Sequence, residues 1–191
     1  MTINQSALTQ KKGRQRRMSK VGQFSKVSLE QYITDSMNDL LESGMTDAEA
    51  IEFLTYKHDN IILPKRSTSG SAGYDFYSPI GFELNPGESI KIPTGVRCFM
   101  DKDWVLMLYV RSSIGFKYHV VLANGTGIID SDFYNGSGEG HIFIKLVNEG
   151  DKTLKVEPGD RIAQGVFLQY GITFDDDADG VREGGIGSTG V

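Results

Sequence analysis

A single carboxylate in a glycine-bounded turn is the side chain best placed to do chemistry in this chain. Asp130 follows a pair of isoleucines and precedes the aromatic ring of Phe133, within the stretch Gly127–Phe133. A carboxylate within hydrogen-bond reach of a water molecule can orient that water and accept its proton. Glycine and aspartate also favour turns for local reasons, so an ordinary hairpin is the alternative interpretation of this stretch alone.

Two other stretches supply groups that bind anions. Arg111, Ser112 and Ser113 directly follow an apolar run that predicts a strand, so a guanidinium and two hydroxyls would stand at a rigid strand end. An arginine can pair with two phosphate oxygens at once, and hydroxyls add neutral donors. Near the C terminus, the glycines of Gly184–Gly190 would let backbone amides wrap a phosphate.

Five short motifs occur in a fixed order. They are Ser71–Asp75, Arg111–Ser113, the stretch around Asp130, Arg161–Gln164 and Gly184–Gly190. Together they resemble the five motifs of the homotrimeric dUTPase family, the dUTP diphosphatases, over roughly residues 61–191. The resemblance implies an all-β fold of jelly-roll or β-clip barrel type and a homotrimer. It also implies hydrolysis of dUTP to dUMP and diphosphate, by water attack on the α-phosphate.

The resemblance assigns a role to each motif residue. Asp130 would activate the water and also line the nucleoside pocket. Asn124 would face the uracil edge, and Arg161 would be structural. Phosphate contacts are expected from Arg111, Ser112, Ser113, Gln164, Arg182, Gly187, Ser188 and Thr189, and further nucleoside contacts from Gly127, Ile129, Phe133 and Ile186.

Magnesium is the implied cofactor. Asp75 resembles the residue that supports the water shell of the metal, and a buried turn aspartate that caps backbone amides is the other interpretation left open. Mg²⁺ retains several waters and is held mainly by substrate phosphates, so few protein ligands are expected. The three histidines lie far apart, without Cys or His at ligand spacing.

Two positions depart from the family pattern. The family usually has tyrosine where this chain has Phe133, so the ring that packs under the deoxyribose is kept without the phenol hydroxyl. The C-terminal motif usually has phenylalanine where this chain has Ile186, so stacking on uracil is replaced by apolar contact and lid closure should contribute less. The stretch 135–140 is longer than usual.

Short strands are predicted to position these residues. Apolar runs broken by Gly, Pro, Asn and Asp are typical of an all-β sandwich, jelly roll or barrel. No glycine-rich phosphate loop joins a strand to a helix, which argues against Rossmann and P-loop folds. The predicted strands are Ile61–Leu63, Ser89–Ile92, Val105–Val110, Val120–Leu122, His141–Val147 and Ile162–Leu168.

The chain is expected to have four parts. Residues 1–26 hold seven of the 20 basic residues and none of the 25 acidic ones, which predicts a disordered basic tail. Because few aromatics accompany these charges, a solvated tail is favoured over a nucleic-acid contact. Residues 27–57 predict a helical hairpin, with capping boxes at Ser28 and Thr46. A β domain should cover 58–174, and a glycine-rich arm at 175–191 should close over a neighbouring subunit's site.

Location is predicted from what the composition lacks. No apolar run approaches the roughly 20 residues that a membrane span requires. The basic N terminus is not followed by the apolar region of a secretory signal. The single cysteine, Cys98, excludes an intramolecular disulfide framework. We therefore expect a cytoplasmic protein with no membrane partner.

Two other functions are open at this stage. dCTP deaminase shares the implied fold and the Arg-Ser-Ser motif, but it requires a glutamate where this chain has Lys145. A regulatory or protein-binding module that uses the N-terminal residues is the alternative from a different class. The intact Asp130, Arg111 and Gln164 favour an enzyme over such a module.

Overall fold

The computed structural model describes residues 19–182, 184 and 185. Its first elements are β1 (Gly22–Lys26), α1 (Leu29–Glu42) and α2 (Asp47–Asp59). The amide of Gln31 donates to Ser28 Oγ at the start of α1, and Thr46 and Glu49 form a capping box at the start of α2. Both helices of the predicted hairpin are present.

The predicted disorder of residues 1–26 is wrong at its C-terminal end. β1 pairs antiparallel with a strand of the β domain, with Phe24 opposite Cys98. The ring of Phe24 packs against Tyr74, Phe76 and Phe167 at centroid distances of 5.3, 5.7 and 5.8 Å. This aromatic contact orders a segment whose composition is otherwise polar and basic. Residues 1–18 lie outside the described part of the chain.

The rest of the described chain is built from antiparallel strands. The strands are β2 (Tyr74–Tyr77), β3 (Phe82–Leu84), β4 (Ser89–Pro93), β5 (Val96–Met100), β6 (Trp104–Val110), β7 (Val120–Leu122), β8 (Gly127–Ile129), β9 (Phe143–Asn148), β10 (Leu154–Val156) and β11 (Arg161–Gln169). A four-stranded sheet has the order β2-β11-β6-β8, a three-stranded sheet has the order β4-β9-β7, and β1-β5 and β10-β3 form pairs. The short helix α3 (Ser112–Tyr118) follows β6, and two 3₁₀ turns cover Ser131–Asn135 and Ser137–Gly140.

The all-β class is confirmed, and one predicted strand is wrong. Residues Ile61–Leu63 are not in a strand, because this segment makes no ladder, and only Lys65 just beyond it forms an isolated bridge, with Asp75. Within the described residues, no helix has the length and apolar character needed to cross a bilayer.

The two N-terminal helices share the core of the β domain. Tyr32 of α1 and Leu54 of α2 are buried in one cluster with Phe76, Ile92 and Val96. Burial raises the pKa of Tyr32 to about 12. Removing these helices would expose this apolar surface, which costs about 25 cal/mol for each Å². The helices are therefore an integral part of the folded unit and not a detachable appendage.

Candidate active site

Strand β6 has the phosphate motif at one end and the carboxylate turn beside the other. Arg111 follows Val110, the last residue of β6, whereas Asp130 follows Ile129, which is paired with Leu106 near the start of β6. Strand residues rise about 3.3 Å each, so the stretch of β6 between these positions separates Arg111 from Asp130 by roughly 20 Å in one chain.

A cleft of about 430 Å³ gathers three of the five motifs at the Arg111 end. Strand β11 pairs with both β2 and β6, so Gln164 lies opposite Asp75 on one side and Tyr109 on the other. A Cβ at Gly73 would lie 2.6 Å from Gln164 Oε1, so the glycine makes room for this amide. The cleft is lined by Ser67, Ser71, Ala72, Gly73, Asp75, Arg111, Ser112, Gln164 and Val166.

Three of the predicted phosphate-binding residues, Arg111, Ser112 and Gln164, thus line one cleft, whereas Ser113 does not line it. Ser112 and Ser113 begin α3, a helix that the sequence did not predict. Both hydroxyl residues are exposed. The helix is short and ends at His119 in a left-handed conformation, so its sequence gives no sustained 3.6-residue period.

Asp75 is the centre of a network of ion pairs. Its Oδ1 lies 3.1 Å from Arg111 Nε, and its Oδ2 lies 3.3 Å from Arg161 Nη1. The hydroxyl of Ser67 also donates to Oδ2, at 2.9 Å. Asp75 is only 7% exposed. Both carboxylate oxygens therefore serve cationic or hydroxyl donors, which favours a role in orienting Arg111 over the predicted contact to a metal-bound water.

The donor set of the cleft does not form a metal cage. Among the described residues, no group of three or more His, Cys, Asp or Glu side chains is arranged to hold a metal ion. The one acid in the cleft is paired with Arg111 and Arg161, whose positive charges repel a cation. A divalent ion at this site would have to be held by ligand oxygens.

Asp130 lies at the start of a 3₁₀ turn, and its side chain does not cap that turn. The carboxylate is 50% exposed, and Arg182 Nη2 donates to its Oδ2 at 2.6 Å. Arg182 Nε also donates to Asp132 at 2.8 Å, and its guanidinium carbon lies 5.7 Å from the Phe133 ring centroid. Arg182, predicted to bind phosphate, thus pairs with the two nearby carboxylates of its own chain.

The turn before Asp130 joins two sheets. β7 pairs with β9 and β8 pairs with β6, so the turn that contains Asn124 and Gly125 crosses between layers. Asn124 is exposed at this turn, as a residue that faces a ligand must be. Gly125 has a φ of 69°, but Asn124 does not have positive φ. Asn124 and Gly125 therefore do not form a type I′ turn, because that turn requires positive φ at both residues.

The other predicted nucleoside residues are largely buried. A Cβ at Gly127 would lie 3.0 Å from Leu108 Cβ, so cross-strand packing requires this glycine. Ile129 is 8% exposed and Phe133 is 6% exposed. Ile129 can therefore offer mainly its backbone to a ligand. Ile128, which points the opposite way and is 53% exposed, was not predicted, although strand alternation would have indicated it.

Arg97 is a second residue that the sequence did not single out. Its Nη2 donates to the carbonyl of Tyr134 at 2.7 Å, and its guanidinium carbon lies 3.7 Å from the centroid of the Tyr134 ring. It stands in β5 between the buried side chains of Val96 and Cys98. The sequence feature that could have indicated Arg97 is an arginine within an otherwise apolar strand.

Cys98 is buried beside Arg97. Burial raises the pKa of its thiol to about 12, so little reactive thiolate is expected at neutral pH.

Four predicted site residues fall in the part of the chain that the structure does not describe. Ile186, Gly187, Ser188 and Thr189 lie outside the described residues. Lys145 is exposed on β9, opposite Lys91, at the position where dCTP deaminase requires a glutamate.

The fold is thus an antiparallel β structure in which strand β6 has a cluster of potential anion donors at one end and a carboxylate beside the other. The dUTPase family model matches residues 59–190, and the chain belongs to the dUTPase family. The predicted family is confirmed.

Individual relatives agree with this family assignment. The chain is 42% identical over 139 residues to the deoxyuridine 5'-triphosphate nucleotidohydrolase of Lactococcus lactis subsp. lactis (strain IL1403), a match that covers 71% of this chain and 93% of that protein. It resembles the crystal structure of dUTPase from Streptococcus mutans with 41% identity and a TM-score of 0.55, covering 60% of this chain and 91% of that one.

A third match is similar in fold alone. It is a mutant dUTPase from phage phi11 of S. aureus, with 23% identity and a TM-score of 0.53, covering 64% of this chain and 92% of that one. That structure reveals the coordination of a structural Mg(II) ion in the phage protein. The dUTPase-like all-β fold predicted from the sequence is confirmed.

Proposed function

We propose that this protein hydrolyses dUTP to dUMP and diphosphate, which keeps uracil out of DNA and supplies dUMP for thymidylate synthesis. The observation that carries the proposal is the convergence of Arg111, Ser112 and Gln164 on one cleft, in a chain that belongs to the dUTPase family. A guanidinium, hydroxyls and an amide are the donors that a triphosphate needs.

In this proposal Arg111 holds the triphosphate and Asp75 holds Arg111. Asp75 is paired with Nε of Arg111, so the two terminal guanidinium nitrogens are the ones that can donate to phosphate oxygens. The side chain of Arg111 is 25% exposed, which restrains its motion before the ligand arrives. Pre-ordered donors lose less entropy on binding.

Asp130 would orient the attacking water and accept its proton. A new bond forms between the water oxygen and the α-phosphorus, the bond from that phosphorus to the bridging oxygen breaks, and diphosphate leaves. Arg182 donates a hydrogen bond to Asp130, and this contact must break before the carboxylate can bind the water. In the proposed complex Arg182 would bind the negatively charged phosphates instead. Gly187, Ser188 and Thr189 of the arm would bind the same phosphates.

A complete site would combine different chains. The roughly 20 Å between Arg111 and Asp130 along β6 exceeds the reach of one α-phosphate and its attacking water. We therefore propose a homotrimer, in which one chain gives the cleft, a second gives Asp130 and the C-terminal arm closes over both. The buried, unpaired Cys98 is compatible with work in the cytoplasm, a reducing compartment.

Mg²⁺ would enter bound to the substrate. The cleft residues give it no cage of acids, so the triphosphate oxygens and waters are its ligands in this proposal. When bound, the ion supplies charge neutralisation of the phosphates. Asp75 stays with its two arginines.

Uracil recognition would fall to Asn124 and the backbone of β8, with Phe133 beneath the deoxyribose. An unmatched polar edge in a closed pocket is costly, so cytosine would be rejected. Ile186 gives apolar contact where the family pattern stacks a ring. Replacing it, Ile186→Phe, should raise kcat/KM for dUTP. The dCTP deaminase alternative is not favoured, because Lys145 cannot act as a carboxylate base.

The test is an assay of diphosphate release from dUTP by the parent protein and by Asp130→Asn. The variant keeps the shape of the side chain but loses the proton acceptor, so turnover should fall about 10²- to 10⁴-fold. Ammonia release from dCTP should be absent in both. Equal turnover of dUTP by the two proteins would remove Asp130 from the mechanism.

A further inference from the structure

We propose that the N-terminal helical segment positions the nucleoside loop through a brace formed by Ser28, Glu139, Arg97 and Tyr134. The nucleoside loop is defined here as residues 130–140, and the proposal rests on the function proposed above. Glu139 and Arg97 are positioning residues in this account. They would set the placement of Phe133 and Asp130 without touching the substrate.

The brace is a continuous chain of polar contacts. The backbone amide of Ser28 donates to Glu139 Oε2 at 2.8 Å, and the same oxygen lies 3.6 Å from Arg97 Nη1. Arg97 Nη2 donates to the Tyr134 carbonyl at 2.7 Å, and its guanidinium stacks on the Tyr134 ring. The start of α1 is thereby connected to the residue that follows Phe133.

Glu139 stands in a backbone conformation that is unfavourable for a residue with a side chain. Glu139 has a φ of 55°, in the left-handed region that disfavours side chains with a Cβ. Its neighbours Gly138 and Gly140 have φ values of 74° and 67°. Glycine, which already occupies the two flanking positions, would adopt this conformation at position 139 with less strain than glutamate. A glutamate held in this conformation by contacts to Ser28 and Arg97 indicates a functional constraint.

The nucleoside loop folds tightly on itself, so a shift at Glu139 reaches Phe133. A Cβ at Gly140 would lie 2.6 Å from the Phe133 carbonyl oxygen and 2.7 Å from Tyr134 Cα. On its other side, a Cβ at Gly136 would lie 2.8 Å from the Gly184 carbonyl oxygen of the arm. The loop is thus packed between the turn that carries Phe133 and the arm.

A second tie follows directly after the loop. His141 is 3% exposed, accepts the Gly95 amide through Nε2 at 2.8 Å, and lies 2.6 Å from Asp35 of α1 through Nδ1. Because Nε2 accepts, the proton is on Nδ1, which donates to Asp35. Helix α1 therefore holds the end of the loop at two points, Ser28 and Asp35.

Global stability does not explain the brace well. The Glu139 side chain is 34% exposed, and ion pairs of such exposure contribute little to the folded state. Hydrogen bonds from Ser28 lower the pKa of Glu139, so the carboxylate is charged and engaged at neutral pH. We therefore expect these contacts to restrict the motion of the nucleoside loop.

The experiment compares Glu139→Gly with Glu139→Gln. Glycine relieves the backbone and removes the carboxylate, whereas glutamine keeps an oxygen that can accept the Ser28 amide. For Glu139→Gly we expect an unchanged or higher Tm, a KM for dUTP raised about fivefold or more, and kcat within about twofold. Its preference for dUTP over UTP should fall, because Phe133 is less well placed. Glu139→Gln should lie closer to the parent in each quantity.

A lower Tm for Glu139→Gly with parental KM and parental dUTP preference would overturn the proposal, since that is the signature of a purely structural contact. Hydrogen exchange of the amides in residues 130–140 gives a second readout that does not need catalysis. Exchange should be faster in Glu139→Gly than in the parent, and equal exchange would overturn the brace. A parent that fails to hydrolyse dUTP would refute the proposed function, and the exchange result would still decide this one.

Discussion

The phosphate cleft and the nucleoside loop are built in different ways. The cleft depends on the register of three strands, since β11 lies between β2 and β6 and brings Gln164, Asp75 and Arg111 together. The loop has no ladder of its own, and its contacts run to Arg97 and to the start of α1. In the function proposed above, phosphate recognition would therefore rest on a rigid frame of paired strands. Nucleoside recognition would instead depend on side-chain contacts that can be altered without disrupting that frame.

Within the cleft, the largest effect should come from removing the positive charge of Arg111. Arg111→Ala should lower kcat/KM for dUTP by about 10²- to 10³-fold, because a charged donor to the phosphates is lost. Arg111→Lys keeps the charge but loses the two-nitrogen fork, so it should fall between the parent and the alanine variant. Steady-state kinetics on the three proteins would check this. If Arg111→Ala keeps the kcat/KM of the parent, Arg111 does not bind the phosphates of dUTP.

Asp75 should matter both for the frame and for the ligand. Asp75→Asn removes a buried charge that pairs with two arginines, and it should lower the free energy of unfolding by about 2 kcal/mol. This value lies below that of a fully buried pair because Arg161 is 44% exposed. Urea unfolding measures the change. If Asp75 instead supported the metal, the Mg²⁺ dependence of turnover would shift while stability stayed at the parental value.

A smaller effect tests the geometry of the cleft. Gly73→Ala would place a Cβ 2.6 Å from Gln164 Oε1 and should displace this amide. The end of a glutamine is flexible, so kcat/KM should fall only about threefold to tenfold. Gly70→Ala is the matched control, because a Cβ there meets nothing within 4 Å. Equal activity of the two variants would show that Gln164 does not need its present position.

The smallest effect concerns the pH dependence of Tm, through the contact of His141 with Asp35 of α1. Burial lowers the pKa of His141 below its ordinary value of 6.5, against the opposing effect of Asp35, with Lys91 and Glu139 nearby. The unfolded chain therefore binds this proton more tightly than the folded chain does. The contribution of neutral His141 to the free energy of unfolding is complete above about pH 6.5 and is lost as the pH falls below that value. Tm should fall further between pH 7.5 and 5.5 in the parent than in His141→Gln, which cannot take up this proton. Parallel curves would contradict this assignment.

Local patterns predicted the elements that depend on local sequence. The strand Val120–Leu122 has the predicted bounds, and the capping patterns at Ser28 and Thr46 marked both helix starts. Only the pattern at Thr46 forms the complete box, because the Ser28 amide donates to Glu139. β1 was missed because its basic, polar neighbours dominate the composition, while the contact that orders it is the distant cluster around Phe24. The predicted strand Ile61–Leu63 failed because an apolar run needs a partner strand to become one.

The site was predicted in its residue types but not in its pairings. Arg111, Gln164 and the first motif share a cleft because three strands pair, which the motif order alone does not state. Asp75 meets Arg161 across a sequence separation of 86 residues, and Ser28 meets Glu139 across 111. Such long-range contacts leave no local periodicity, so the pairing of Asp75 with Arg111 and the contact of Ser28 with Glu139 could be found only in the structure.

The most direct test of the central claim mixes two inactive variants. Arg111→Ala and Asp130→Asn should each be nearly inactive alone, because one lacks the phosphate contact and the other lacks the base. If a site takes Arg111 from one chain and Asp130 from another, equal mixing after unfolding and refolding should restore activity to about one quarter of the parental level. A mixture as inactive as its components would contradict the shared site and confine the chemistry to single chains.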